Sequence, residues 1–332
     1  MIYQDIIQKI QEAGLRGRGG AGFSAHLKWE AVKNAPGEKK YVICNAAEGE
    51  PGVSKDGFLL ENHPAEVIQG IRIAVEFLGA AAAFIYLRKD YYDKFQTKLK
   101  DAIGDLPIKL FKKTSGYLGG EETVLLEDME GRRPEPREKP PYPTERGLYG
   151  CPTLINNAET FYDIARIAAG KYERKRFYSL SGDIRHPGVY ELPEDWGVGK
   201  ILQETDNWPE ADFFVQSGGG ASGEILTSAE TDKPVGGAGA IIVYDRQKTN
   251  PVELMRRWTG FYLRENCGQC VPCREGVCRL NEILTQPEIN WELLRDILFS
   301  LRETSFCALG NGVAAPFVGL LEKIIKNQSD GR

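Results

Sequence analysis

Ile2, Ile6, Ile7 and Ile10 recur at three- and four-residue intervals through residues 1–13, which predicts a short amphipathic helix. Residues 39–48, KKYVICNAAE, carry a continuous apolar run that predicts a buried strand, and the chain then runs out into a loop, EGEPGVSKDG. Helical spacing returns over 64–79 with Pro64 near its start, AAAFIYLR (81–88) predicts a second apolar strand, and 89–104 a second helix. Strand and helix alternate, which points to an α/β layer with a mainly parallel sheet.

The texture then changes. RRPEPREKPPYP (132–143) is Pro-rich and charged, an extended surface loop, and residues 150–170 return to helical spacing. From about 175 to 245 short β runs alternate with Gly and Pro, which predicts a small α+β module. After Asn250 the pattern is helical over 252–266, 274–285, 290–303 and 312–327, a small bundle with its first three cysteines in the loop after its first helix. These shifts divide the chain at 1–170, 171–248 and 249–332.

Composition narrows the partners. The net charge of −5 offers no basic surface for nucleic acid or an anionic membrane. No signal peptide opens the chain, and the longest apolar run, Phe77–Leu87, is too short to span a bilayer as a helix, so no direct membrane insertion is expected. Seven cysteines, four of them between Cys267 and Cys278, read as reduced thiols serving a metal in a cytoplasmic compartment.

CGQCVPC supplies Cys267, Cys270 and Cys273, each two residues apart. Three thiolates at this spacing wrap three corners of one iron–sulfur cube, and a fourth comes from elsewhere in the fold. Cys278 is near in sequence, but it falls on a helix that presents it on a different face from Cys273. Cys307, in ETSFCALG, can return across the bundle and is the expected fourth ligand. Zinc more often takes its thiolates as two separated pairs. Cys44, Cys151 and Cys278 are expected as small buried apolar residues.

Upstream, GLRGRGGAGF (14–23) is a glycine-rich loop able to cradle phosphate through backbone amides, although no obvious strand precedes it. Asn45, Glu48 and Glu50 leave the end of a buried strand, where open α/β sheets place ligands. SGYLGGEETVLLEDM puts Glu121 and Glu122 in the first turn of a helix, a capping position as well as a candidate site. Asn156 and Asn157 in INNAET offer amides to sugar hydroxyls or a ring edge.

Together these segments resemble the NADH-binding flavoprotein subunit of respiratory complex I and the diaphorase subunits of NAD-linked hydrogenases and formate dehydrogenases. The resemblance rests on GLRGRGGAGF with Lys28–Trp29, NAAEGEPG with Lys55–Asp56, Tyr117 with GEET, the KPPYP loop, INNAET, and CGQCVPCREG with Cys307. It implies an α/β Rossmann-like FMN domain, then a small ubiquitin-like β-grasp domain, then a helical bundle carrying a [4Fe–4S] cluster. By the same resemblance Gly17, Gly19 and Lys28 hold the FMN phosphate and ribityl region, with Asn45, Glu48, Tyr117, Gly120, Glu121, Asn156, Asn157 and Thr160 completing the site. NAD(H) lies over the flavin against Phe23, Glu50, Glu122 and Lys139, with Tyr142 near the adenine, and NAD is favoured over NADP. No side chain is implied as nucleophile or general acid; Glu50 and Glu122 position the nicotinamide.

The implied activity passes electrons between NADH, FMN and the cluster inside a larger oxidoreductase, the cofactors supplying the chemistry. The same module reducing NAD+ for a hydrogenase, formate dehydrogenase or flavin-based bifurcating complex is the alternative. A cluster-bearing scaffold without nucleotide binding is a third. Two positions depart from the family: Ala47 stands where it has an acid, and Ala31 where many relatives have Phe. Neither a thioredoxin-like [2Fe–2S] domain nor a ferredoxin extension is expected within these 332 residues. The expected partners are therefore a thioredoxin-like [2Fe–2S] subunit and a further iron–sulfur or catalytic subunit.

Overall fold

The computed structural model describes residues 5–325. The chain separates into two units: one of residues up to Gly49 with Ser54–Phe177, the other of Glu50–Val53 with residues from Tyr178 onward.

The first unit opens with α1 (Ile6–Glu12) and α2 (Ala25–Asn34), on either side of the glycine loop. Ile2, expected in the first helix, lies outside the described residues. Then come β1 (Tyr41–Ala46), α3 (Lys55–Asn62), α4 (Pro64–Leu78), β2 (Ala82–Leu87), α5 (Lys89–Ile103) and β3 (Ile108–Lys112). A 3-10 turn at Tyr117–Gly120 leads to α6 (Glu122–Met129), and α7 (Pro143–Arg146), β4 (Thr153–Asn157) and α8 (Ala158–Ala168) close the unit. The four strands form one parallel sheet in the order β3-β2-β1-β4. The inner strands have helices on both sides and read as continuous apolar runs for that reason.

Two sequence expectations change here. Residues 150–170 are not all helix: 153–157 form β4, because a short apolar run such as Thr153–Leu154–Ile155 fits either structure until its neighbours are known. The loop expected at EGEPGVSKDG gives way to α3 at Lys55. The pairing of α4 with α8 is close at Gly70, where an added Cβ would stand 1.9 Å from the Phe161 carbonyl oxygen.

The second unit contains β5 (Lys175–Gly182), most of which it holds, then β6 (Gly188–Pro193), α9 (Val198–Glu204), β7 (Phe213–Gly218), β8 (Glu224–Thr227) and β9 (Ala240–Asp245). The strand order is β6-β5-β9-β7-β8, with β5 parallel to β9 and β7 antiparallel to both β8 and β9. Val198, Ile201 and Leu202 of α9 pack on Tyr178, Leu180, Val215 and Ile241 to form its core. The C-terminal helices are α10 (Pro251–Glu265), α11 (Val271–Thr285), α12 (Trp291–Thr304), α13 (Ala308–Gly312) and α14 (Ala314–Gly319), followed by a π-helical turn at Leu320–Ile325. Asn250 and Asn290 cap α10 and α12 by accepting first-turn amides.

Two further corrections fall in this unit. Cys273 is not in the loop but in the first turn of α11. The last helical stretch begins at Ala308, and Ala308–Ile325 is long and apolar enough to cross a bilayer, which the Phe77–Leu87 run is not. Its packing argues for a core helix, since 56% of it is buried and Lys323 donates to the Ile225 carbonyl and to Glu230.

Candidate functional site

The glycine loop of the first unit is folded by its own backbone and by α8. Gly17 N donates to Phe23 O at 2.8 Å, Arg16 Nε reaches Gly22 O at 2.7 Å, and Arg18 N donates to Thr160 Oγ1 at 3.0 Å. The Arg18 guanidinium is buried on Asp163 (3.1 Å) and Tyr172 (2.9 Å) and so anchors the loop. Gly20 and Gly22 take φ of +116° and +62°, which glycine adopts without strain. Gly19 and Gly20 lie exposed at the loop tip, and a Cβ on Gly19 would touch Asn157 Cβ at 3.4 Å. Backbone amides can therefore approach a ligand closely at this point.

Asn45 and Asn157 stand side by side at the carboxyl ends of β1 and β4. Asn45 Nδ2 donates to Gly120 O at 2.8 Å, joining the strand end to the 3-10 turn. Asn157 is held from below by a buried ion network. Its Oδ1 accepts from Lys55 Nζ at 2.8 Å and its Nδ2 donates to Asp56 at 2.6 Å. Lys55 is 2% exposed and also pairs with Asp56 at 2.7 Å and Glu159 at 3.1 Å. Burial opposes its charge, but Asp56, Glu159 and Glu48 outweigh that and raise its pKa.

Beside this lies a half-open chain of two lysines and two glutamates. Lys28 Nζ meets Glu122 at 2.9 Å, and Lys139 Nζ meets Glu121 at 2.7 Å and Glu122 at 3.1 Å. Burial works against the Glu122 charge, yet Lys28 and Lys139 hold its carboxyl below the usual range. Burial likewise opposes the Lys139 charge, and Glu121 and Glu122 overcome it to raise that pKa. Glu121 also caps α6, accepting from Thr123 N at 2.8 Å and Val124 N at 3.0 Å. The capping and site readings of this residue thus coexist. Phe23 and Tyr142 are exposed aromatics, 56% and 52%.

Other residues expected at the site are engaged inside the fold. Glu48 is buried and accepts from Asp56 N (2.7 Å), Gly57 N (3.0 Å) and Tyr91 Oη (2.6 Å). Burial, then the Asp56 charge, push its carboxyl up to about 7. Thr160 is fully buried beneath the glycine loop. The Asn156 amide accepts from Trp29 Nε1 at 2.9 Å and donates to Ile155 O at 3.0 Å. Tyr117 packs against Gly49, where a Cβ would meet its ring at 3.1 Å. Ala47 is buried and Ala31 exposed.

Glu50 belongs to the second unit. Its Oε1 accepts from Ala221 N at 2.8 Å, and Pro51 O accepts from Gly220 N at 2.8 Å. Glycine is needed at 219 and 220, since a Cβ would come within 2.2 Å of Glu50 Oε1 or 2.7 Å of Pro51 O. The buried Tyr262 hydroxyl of α10 donates to Ala221 O. Sequence reasoning treated 217–223, SGGGASG, as β-rich texture; its run of three glycines was the available signal.

The four expected cluster ligands converge in this same unit. Cys267 and Cys270 lie between α10 and α11, Cys273 is buried in the first turn of α11, and Cys307 immediately precedes α13. Gly268, φ +75°, donates to Asn266 Oδ1 at 3.1 Å and its carbonyl accepts from Arg274 at 2.7 Å, which closes the loop. Burial, then Cys270, Cys307 and Cys267, push the Cys273 thiol up to about 12. Burial also raises Cys307, although the amides of Leu309 and Gly310 act in the other direction. Four thiolates facing one another need a strongly positive group among them, the role bound iron fills. Among the described residues no three His, Cys, Asp or Glu side chains are gathered tightly enough for a single metal ion. Cys278, exposed farther along α11, stands apart from this group, and its exposure differs from the buried position expected of it.

Comparison with known proteins adds to this geometry. Residues 10–166 match the model of the Nuo51 FMN-binding domain, and residues 253–326 that of the NADH-ubiquinone oxidoreductase-F iron-sulfur binding region. The NADH-quinone oxidoreductase-F protein of Streptomyces coelicolor is 34% identical, the match covering 97% of this chain and 82% of that one. The alpha subunit of the NAD-reducing hydrogenase HoxS of Cupriavidus necator is 35% identical over 96% of this chain and 59% of its own length. A crystal structure of an NAD+-reducing [NiFe]-hydrogenase in the H2-reduced state superposes with a TM-score of 0.87 at 30% identity, covering 95% of this chain and 60% of that chain.

Proposed function

The chain belongs to the NADH-quinone oxidoreductase-F family, and we propose that it is the entry point where NADH is oxidised within a larger complex. When bound, FMN would supply two-electron hydride acceptance from NADH and one-electron release towards a [4Fe–4S] cluster, the accompanying protons exchanging with solvent. The chain's own residues bind, orient and exclude water. The glycine loop at Gly17 and Gly19, with its exposed tip at Gly19 and Gly20, together with Lys28 would hold the flavin phosphate. Asn45, Tyr117, Gly120 and Asn157 would frame the ring and ribityl chain, and Cys267, Cys270, Cys273 and Cys307 would carry the cluster. Lys139, Glu122 and Phe23 would meet the nicotinamide nucleotide, with Glu50 and Tyr142. Glu48, Thr160 and Asn156 act one layer back, by holding α3, the glycine loop and Trp29. The acids at the nucleotide site disfavour a 2′-phosphate, hence NAD over NADP.

The observation that carries this reading is the half-open Lys28–Glu122–Lys139–Glu121 chain beside exposed glycine amides. Similarity to an NAD-reducing hydrogenase protein supports a second reading in which the same module reduces NAD+. The strand order β6-β5-β9-β7-β8, with α9 after β6, supports a ubiquitin-like β-grasp for the middle module, and the parallel sheet supports a Rossmann-like FMN domain. We further read its partners as a thioredoxin-like [2Fe–2S] subunit and another iron–sulfur or catalytic subunit, in the cytoplasm. The test is anaerobic reconstitution with FMN, iron and sulfide, followed by NADH. Bleaching at flavin wavelengths is expected. Stoichiometric flavin that neither NADH nor NADPH bleaches would leave only a scaffold role.

A further inference from the structure

Ser305 lies between the end of α12 and Cys307, and the inference drawn from it rests on the cluster reading above. Its hydroxyl oxygen is sealed from solvent and has no hydrogen-bond partner among the described residues. The polar groups around it are engaged: Ser305 N donates to Leu301 O at 3.2 Å, and the Leu309 and Gly310 amides bond the Cys307 sulfur. A buried donor without an acceptor is rare and costly, so its partner is to be sought in a bound group. Gly310 locates that group. A Cβ built there would come within 2.4 Å of Ser305 Oγ and 3.2 Å of Cys273 Cβ. The hydroxyl and Cys273 therefore flank the same glycine, whose amide bonds Cys307. Any side chain at 310 would fill the space between them.

We propose that the Ser305 hydroxyl donates a hydrogen bond to a sulfur on the Cys273–Cys307 side of the cluster, and so sets the cluster's reduction potential. A donor aimed at cluster sulfur stabilises the more negative, reduced form and raises the potential. Ser305 is thus a positioning and tuning residue, with no part in hydride transfer.

The test is an EPR-monitored redox titration of the cluster in the whole reconstituted chain, comparing Ser305→Ala and Ser305→Thr with wild type. Ser305→Ala is expected to lower the midpoint, raising the oxidised-to-reduced ratio at fixed potential about three- to tenfold; tenfold is about 59 mV for one electron. Ser305→Thr keeps the hydroxyl and stays within about twofold, and the flavin midpoint moves in neither. An intact cluster in Ser305→Ala titrating with wild type overturns the proposal, as does an equal shift in both variants. If Ser305→Ala takes up no iron, Ser305→Val against the isosteric Ser305→Thr carries the same contrast: a lower midpoint in Val alone supports it, and equal midpoints overturn it. Absence of iron and of any EPR signal from wild type would instead remove the cluster reading itself.

Discussion

Lys55→Met tests the ion network beneath Asn157. Methionine keeps most of the lysine stem's volume, so the change removes charge more than packing. The ammonium is 2% exposed and sits 2.7 Å from Asp56, 3.1 Å from Glu159 and 2.8 Å from Asn157 Oδ1. At an effective dielectric constant near 20, each such ion pair is worth about 5 kcal/mol of Coulomb attraction. Desolvation of the lysine offsets much of that, and removing one member of a buried pair costs about 3–5 kcal/mol net, because the remaining charges are stranded. For a unit of this size that is roughly 10 °C in melting temperature. The loss also has a defined pH dependence. Beside Lys55 the Glu159 carboxyl is held below its usual range although burial opposes this, and without the cation burial is left to raise it above its unfolded value. Groups of that kind contribute stability that is present below the unfolded pKa, near 4, and lost as pH rises through the folded value. The deficit of Lys55→Met is therefore small near pH 5 and full near pH 8. Far-ultraviolet circular dichroism melts of both proteins at the two pH values measure it. A variant within about 1 kcal/mol of wild type at pH 8, or a deficit that grows on acidification, would refute the reasoning.

The other predictions concern the two sites and one contact. Cys307→Ser is expected to lose most of the iron and the cluster signal, whereas Cys278→Ser, at an exposed position, keeps both and shifts stability by less than about 0.5 kcal/mol; iron analysis and EPR separate them. Lys139→Met removes contacts of 2.7 Å and 3.1 Å to Glu121 and Glu122 and is expected to raise the KM for NADH about tenfold with flavin still bound, and unchanged KM would count against its nucleotide role. Gly70→Ala places a methyl 1.9 Å from Phe161 O and is expected to destabilise by about 3 kcal/mol in denaturant melts, through forced separation of α4 and α8.

Most elements were legible because their periodicity is strong: 64–79 and 89–104 became α4 and α5 almost residue for residue, and both apolar runs became β1 and β2. Where the reading failed, the signal was local and the deciding force was not. Thr153–Asn157 becomes a strand because it pairs with β1 along Tyr41–Asn45, a partner more than a hundred residues away. Lys55 opens a helix because Glu48, eight and nine residues upstream, accepts the Asp56 and Gly57 amides at its start. The first partner lies far outside any window that periodicity examines, and the second is a side-chain contact that carries no periodic signal. For the cysteines the expectation rested on the helix face that sets Cys278 apart from Cys273, and Cys278 is exposed on α11 while Cys273 is buried at the start of the same helix.

The acidic loop shows why a site is harder to read than a fold. Asn45, Glu48 and Glu50 look equivalent in sequence, three polar side chains leaving one strand. Their energetics differ because each meets a different set of donors. Glu48 takes two helix amides and a tyrosine hydroxyl in a buried position, so its carboxylate is fully employed within the fold. Glu50 takes Ala221 N in the second unit, so it is tied to a glycine loop that spacing never linked to it. Asn45 bonds Gly120 O and Ala47 N, and it is half-buried at the strand end. Asn156 and Asn157 are both engaged, Asn156 with Trp29 and Ile155 and Asn157 with Lys55 and Asp56, and they differ in that Asn157 is half-buried at the glycine loop whereas Asn156 is buried. Residue type marks which side chains can bind a ligand; only the donors already satisfied within the fold decide which are left to do so. We infer that the part-exposed Lys28–Glu122–Lys139 chain and the exposed loop tip at Gly19 and Gly20 would meet a nucleotide, and that mutation of Glu48 or Thr160 would act on the frame that holds them.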